Sequence, residues 1–305
     1  FVNSSGAKIT NDWRLTTPYD DDSADEEWYY FKSNGKRAEG EKVTYKGKTY
    51  YFDTDGKMLT GWVTTTSDKK ENVNEATGFE DGHTFYCDET GARVEGAWIK
   101  DTAPGVSDDS ADEDEYWYYL KKSTGKPATG KQANINGQIY LFNNEGEMVT
   151  GLRILYYEDG KYTSYSGEVD SVDTIKNMNS NTQKLVYFES SGAAKTGTTT
   201  ISLDGTSYTF SFRSNGSPRG VGETGISDGY IYVNGLRLTA DEDSKYGVVT
   251  YKDAQYLVNE KGTIQKNKKN VKDADGYYYC TGKHGIVVHE HLEEKCTEKE
   301  HKEEE

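Results

Sequence analysis

The chain has 305 residues, and its net charge of −16, with no basic patch among the aromatics, argues against nucleic acid and anionic membranes as partners. Leu, Ile, Val and Phe supply only about a sixth of the residues, a level at which disorder is expected, yet 25 Tyr, 9 Phe and 5 Trp oppose that reading because disordered segments are poor in aromatics. With 32 Gly, 4 Pro and no run of about 18 apolar residues, the composition excludes a membrane-spanning helix and points to many short elements joined by tight turns.

In chain order, Phe1-Val2-Asn3-Ser4-Ser5-Gly6 already matches half of a repeat, so the chain is expected to begin inside one and to belong to something longer, covalently continuous with further domains. Tyr29-Tyr30-Phe31 precedes Gly35, and Tyr50-Tyr51-Phe52 precedes Gly56, 21 residues apart. The same ending recurs before Gly91, Gly125, Gly146, Gly192, Gly216 and Gly262, and in six units a second glycine follows five residues after the first, as in Gly56 and Gly61. Each unit reads as an aromatic run, a polar stretch such as Asp53-Thr54-Asp55-Gly56, and a short second run such as Lys57-Met58-Leu59-Thr60, which predicts a β-hairpin turning at Asp-Gly or Asn-Gly. A lone hairpin is marginal in water, so stability must come from stacked neighbours. The expected fold is all-β: a β-solenoid of stacked β-hairpin repeats of about 20 residues, with loop insertions near 63–83, 101–115 and 157–184.

A longer duplication overlies the short one. Asp22-Ser23-Ala24-Asp25 before Trp28 returns as Asp109-Ser110-Ala111-Asp112 before Trp117, and Gly47, Phe52 and Met58 return at an offset of 90 as Gly137, Phe142 and Met148. The expected organisation is residues 1–156 as repeats in two superunits, 157–184 as an insertion, 185–289 as more divergent repeats and 290–305 as an acidic tail.

The string from Tyr50 to Trp62, with its aromatic run, turn and paired glycines, resembles the cell-wall-binding repeats of Gram-positive surface proteins: choline-binding modules, the glucan-binding repeats of streptococcal glucosyltransferases and the repeats of clostridial toxins. The resemblance covers about residues 1–265 and weakens beyond about 220. It implies a secreted or cell-surface protein without catalytic residues, whose partner is a cell-wall polymer or extracellular polysaccharide. In choline-binding relatives, two Trp of one hairpin and a ring from the next cage a quaternary ammonium. Here Trp62, Trp98 and Trp13 fall near the first Trp position and Trp28 and Trp117 at the second, while Leu152, Thr198 and others depart from it. The resemblance therefore implies first a glucan-like glycan on aromatic platforms, with choline or teichoic acid as an alternative and a structural spacer or adhesin stalk as another. The expected ligand-binding residues are Trp13, Trp28, Tyr50, Trp62, Trp98 and Trp117, with Tyr30 and Tyr119 on the same strand faces as Trp28 and Trp117.

Other patterns carry less. Gly220-Val221-Gly222-Glu223-Thr224-Gly225 fits a dinucleotide fingerprint and Gly225-Ile226-Ser227-Asp228-Gly229 a nucleophile elbow, but neither opens a helix, so both read as hairpin turns. The acidic runs Asp20 to Glu27 and Asp108 to Glu115 could gather oxygens for Ca²⁺ but lack the glycine-turned loop, so no cofactor is expected. Cys87, Cys280 and Cys296 form no CxxC pair, and His284, His289, His291, Cys296 and His301 match no metal spacing. The carboxylates lie in polar turns, which does not suit the buried acid of a glycosidase, so no enzyme is expected.

Overall fold

Alternating aromatic and polar residues bounded by glycine form short antiparallel pairs throughout the computed structural model, which describes residues 1–18, 23–66, 73–106, 114–216 and 218–297. The chain divides into two units, Phe1–Val149 and Thr150–Glu305. In the first, β1 (Asp12–Thr16) pairs with β2 (Glu27–Phe31), and β3 (Glu41–Tyr45) with β4 (Lys48–Phe52). β5 (Gly61–Thr65) lies between β6 (Val73–Glu75) and β7 (Thr84–Cys87); β8 (Ala97–Asp101) pairs with β9 (Tyr116–Leu120), and β10 (Gly130–Ile135) with β11 (Gln138–Phe142).

The pairing differs from the sequence expectation in one respect. The two-residue turn that joins β3 to β4 is Lys46-Gly47, both at positive φ (47° and 81°), and Asn136-Gly137 does the same between β10 and β11 (52° and 79°). Positive φ at both central residues matches the twist of the flanking strands. The Asp53 to Gly56 turn instead spans a single isolated bridge, Phe52 with Met58, and leads the chain to the next hairpin. Its geometry is fixed by the Asp53 carboxylate, whose Oδ1 accepts from the backbone N–H of Asp55 (2.9 Å) and Lys57 (2.8 Å). Asp88 and Asn143 repeat the arrangement ahead of Gly91 and Gly146.

Three return peptides dock on the preceding hairpin. The N–H of Met58 donates to the carbonyl of Trp28 (2.9 Å), that of Arg93 to Thr49 (2.8 Å) and that of Met148 to Trp117 (2.9 Å). Gly56, at φ +77°, rests on the hairpin before it: a Cβ there would lie 2.6 Å from Arg37 Nε and 2.8 Å from the Ala38 carbonyl. The aliphatic shortage is met by small aromatic clusters between hairpins, such as Tyr30, Ala38 and Phe52 with Trp13, Val43, Tyr45, Tyr50 and Met58 against them.

In the second unit, β12 (Gly151–Glu158) runs between β13 (Lys161–Tyr165) and β14 (Gln183–Phe188). The stretch expected as an insertion supplies β13 and one short helix, α1 (Val172–Lys176), whose N-cap Ser171 accepts from the N–H of Asp173 and whose Ile175 is fully buried. β15 (Gly197–Leu203), β16 (Thr206–Phe212), β17 (Gly225–Ser227), β18 (Tyr230–Val233) and β19 (Leu236–Arg237) form one sheet in the order β15-β16-β19-β18-β17. β20 (Tyr246–Tyr251) pairs with β21 (Ala254–Asn259), and β23 (Tyr277–Thr281) lies between β22 (Val271–Lys272) and β24 (Val287–Leu292). The core here is more conventional, with Leu152, Ile154, Leu185, Phe210 and Phe212 buried together. Gly225 to Gly229, the nucleophile-elbow match, is β17 and a turn, as the absence of a following helix predicts.

Candidate functional site: aromatic pockets between hairpins

The register of β1 on β2 sets Trp13 opposite Tyr30 and Leu15 opposite Trp28, so Trp13, Tyr30 and Trp28 share one face. The next hairpin brings Tyr50 to the same place. The Trp13 ring meets Tyr50 at 4.9 Å and 67°, Tyr45 at 5.9 Å and 80°, and Trp28 at 6.5 Å and 81°. Behind it lie Tyr30 (5.1 Å) and Phe52 (5.6 Å), which seat Trp13. Trp13, Trp28, Tyr45, Tyr50, Met58, Glu89 and Thr90 line an open pocket of about 470 Å³, and Trp28 is 43% exposed at its edge.

The duplication builds a second cluster with the same dimensions. Trp98 meets Tyr140 at 4.9 Å, Tyr119 at 5.2 Å and Phe142 at 5.7 Å, matching Trp13 with Tyr50, Tyr30 and Phe52. Trp117 stands opposite Lys100, two residues along the strand from Tyr119, and is 44% exposed as Trp28 is. One wall is missing: the position of Tyr45 is taken by the buried Ile135.

Trp62 has a different setting. It faces Tyr86 (5.1 Å) and Tyr118 (4.8 Å), is only 9% exposed, and donates its indole N–H to the Thr102 carbonyl at 3.0 Å. Where the first hairpin has Trp28, this one has Thr84, fully buried, and Ala76, just past β6, donates its N–H to the Trp62 carbonyl. The structure thus gathers Trp13, Trp28, Tyr30 and Tyr50 at one place and Trp98 with Tyr119 at another, while Trp62 packs among neighbours in a third.

Sequence reasoning passed over Tyr45, Met58, Glu89, Thr90 and Tyr140. Tyr140 was within reach, since the offset of 90 applied to Tyr50 lands on it. Glu89 and Thr90 reach the first pocket from the turn after β7 and carry no local signal. Burial raises the Tyr30 phenol above its ordinary range, with Tyr45 and Asp12 adding to the effect, so its ring stays neutral. In the turn that holds Glu89, burial alone would raise the Asp88 carboxyl, but hydrogen bonds from the Thr90 hydroxyl and the N–H groups of Ala92 and Thr90 outweigh it and hold the group below the usual range. Among the described residues no group of His, Cys, Asp and Glu is placed to hold a metal ion. Most of the acidic runs weighed for Ca²⁺, Asp20 to Asp22 and Asp108 to Glu113, lie outside the described residues, as does His301.

The geometry defines a class of protein: an all-β array of aromatic hairpins with ring-lined clusters where neighbours meet. Residues 23–61, which carry Trp28, Tyr45, Tyr50 and Met58, match the family model of the Choline-binding repeat, and on that segment the resemblance to cell-wall-binding repeats holds. A Streptococcus pneumoniae protein named "Putative endo-beta-N-acetylglucosaminidase" is 29% identical over 141 residues, 46% of this chain and 16% of that protein. Glucosyltransferase-S of Streptococcus mutans is 31% identical over 185 residues, 58% of this chain and 10% of that protein. The chain thus spans between about a tenth and a sixth of these curated relatives. Among solved structures, choline binding protein F from Streptococcus pneumoniae matches with a TM-score of 0.40 at 19% identity, over 93% of this chain and 73% of that chain.

Proposed function

We propose that the chain is a non-catalytic module of a secreted or surface-attached bacterial protein, that it binds a cell-wall polymer or polysaccharide, and that its hairpins stack as a β-solenoid. The observation that carries this reading is the first pocket, where Trp28, Tyr45 and Tyr50 meet Trp13 at 67–81° and form walls rather than one flat platform. Steeply angled rings present several π faces to one point, which suits a quaternary ammonium group, and the Glu89 carboxylate at the lining adds charge of the right sign. The repeat match over 23–61 supports choline as that group. A second reading, a glycan stacked on an exposed indole, is favoured by the open faces of Trp28 and Trp117 and by the similarity to Glucosyltransferase-S.

Retention on a quaternary-amine matrix and on insoluble glucan, each with and without free choline, tests both. Retention on the amine matrix and release by choline is the expected result. Retention on glucan that choline leaves unchanged supports the second reading, and retention on neither matrix overturns both.

A further inference from the structure

Cys280 and Cys296 lie far along the chain from the aromatic pockets and form a site of their own. Cys280 is on β23 opposite His289 of β24, and Cys296 is on the segment after β24. Both are buried, at 2% and 7% exposure, and their sulfurs stand 2.8 Å apart, nearer than the roughly 3.5–4 Å at which non-bonded heavy atoms of this size settle. Asn270, at φ 48°, spans the two. Its N–H donates to the Cys280 sulfur (3.4 Å), its side-chain oxygen accepts from the Cys296 N–H (2.7 Å), and its side-chain nitrogen donates to the Cys296 carbonyl (3.4 Å). The Cys296 peptide is thereby held against β23 by bonds that do not involve its sulfur.

Cys87 shows the contrast. It packs among Leu59, Val63 and Phe85 in the other unit of the chain, and burial pushes its thiol up to about 12.

We propose that Cys280 and Cys296 are joined as a disulfide that fastens the segment after β24 to β23. The oxidant is a low-molecular-weight disulfide outside the cell. The Cys280 thiolate attacks one of its sulfurs and expels one thiolate, giving a mixed disulfide; the Cys296 thiolate then attacks the Cys280 sulfur and expels the second. Two protein thiols and one external disulfide become one protein disulfide and two external thiols, with both protons accounted for. The route to Cys280 is visible: an opening of about 220 Å³ is lined by Cys280 together with Lys268, Lys269 and Lys283, a basic spot on a chain of net charge −16 that favours an anionic oxidant such as oxidised glutathione. Cysteine spacing alone did not disclose the pair, because the two residues are brought together by the β23–β24 hairpin and by Asn270.

The full chain, held in oxidised glutathione, then denatured and alkylated with N-ethylmaleimide, tests this. The expected product carries one adduct, on Cys87, weighs about 2 Da less than the reduced chain before alkylation, and gives on digestion a peptide pair linked through Cys280 and Cys296; dithiothreitol restores all three adducts. Three adducts after oxidation, or a link through Cys87, would overturn the proposal. Hydrogen exchange over residues 287–297 supplies a readout that a chance oxidation would not move: oxidation slows it in the native chain and leaves it unchanged in Cys280→Ser. Equal exchange in the oxidised and reduced native chain would refute the fastening role.

Discussion

Trp28 and Trp62 are the same residue type placed in opposite settings by what stands beside them. Trp28 presents a 43% exposed indole to an open pocket, whereas Trp62 lies between Tyr86 and Tyr118 with its N–H satisfied by Thr102. Trp28→Ala is expected to leave the melting temperature nearly unchanged and to weaken choline binding at the first pocket about 2- to 30-fold, the worth of one cation–π wall of roughly 0.5–2 kcal/mol. Trp62→Ala is expected to do the reverse, with a loss of about 3–5 kcal/mol in denaturant melts from the emptied core position and an unchanged affinity. Calorimetric titration beside a denaturant curve for each variant separates the two; loss of affinity in Trp62→Ala would return it to the ligand-contacting group. The Asp88 turn supplies a pH dependence. Its folded carboxyl is held below the unfolded value near 3.9, so its contribution is complete above that value and is lost as pH falls through the folded one. Choline carries its charge at every pH, so affinity at the first pocket is expected to be flat from about pH 8 to 5 and to fall below about 4 as the turn bearing Glu89 and Thr90 loosens. The Glu89 carboxylate at the lining also loses its charge in acid, so titrations across that range should show no such fall only in Asp88→Asn combined with Glu89→Gln, which lacks both ionising groups of the turn.

At the scale of the element, the turn glycine is a packing device as well as a conformational one. Gly47 and Gly56 both sit at positive φ, 81° and 77°, but a Cβ on Gly47 would meet nothing within 4 Å, whereas one on Gly56 would press on Arg37 and on the Ala38 carbonyl. Gly47→Ala should therefore cost only the left-handed strain of about 1–2 kcal/mol, and Gly56→Ala about 2–5 kcal/mol because a neighbouring backbone must also shift. Equal losses in the two denaturant curves would show that the hairpins do not depend on this contact. The periodic turn with Asp or Asn three residues ahead of glycine was legible in the sequence because its geometry is local: one side chain and three peptides determine it. Which flank of the aromatic run forms the ladder was not legible. Lys46-Gly47 and Asp55-Gly56 are both turn signals, and only the longer register of Glu41–Tyr45 on Lys48–Phe52 decides between them. The first pocket was half legible for the same reason: Trp13, Trp28 and Tyr50 follow from the repeat, while Glu89 arrives from a hairpin further on, and the closure over Trp62 depends on Thr102, 40 residues away.

For the whole molecule, the distribution of chromophores and sulfurs turns the two units into separately observable bodies. All five Trp fall within Phe1–Val149, together with both aromatic clusters, whereas Cys280 and Cys296 fall within Thr150–Glu305. Tryptophan fluorescence therefore follows the unfolding of the first unit alone, while far-ultraviolet circular dichroism follows both. A ligand that binds only the native state stabilises by RT ln(1 + [L]/Kd), about 2.7 kcal/mol at a hundredfold excess over Kd, and that gain belongs to the unit that holds the site. Choline at such an excess is expected to raise the fluorescence-detected melting temperature by roughly 5–10 °C, the shift that about 2.7 kcal/mol produces in a body of this size. Dithiothreitol should leave that transition in place and lower only the part of the dichroism transition that fluorescence does not report. Two clusters on one polymer chain also act through effective concentration, so Trp28→Ala combined with Trp117→Ala should reduce retention on a polyvalent matrix by more than the product of the single losses. A choline-induced shift seen in dichroism and absent from fluorescence would place the ligand in the second unit and remove both aromatic clusters from the binding role.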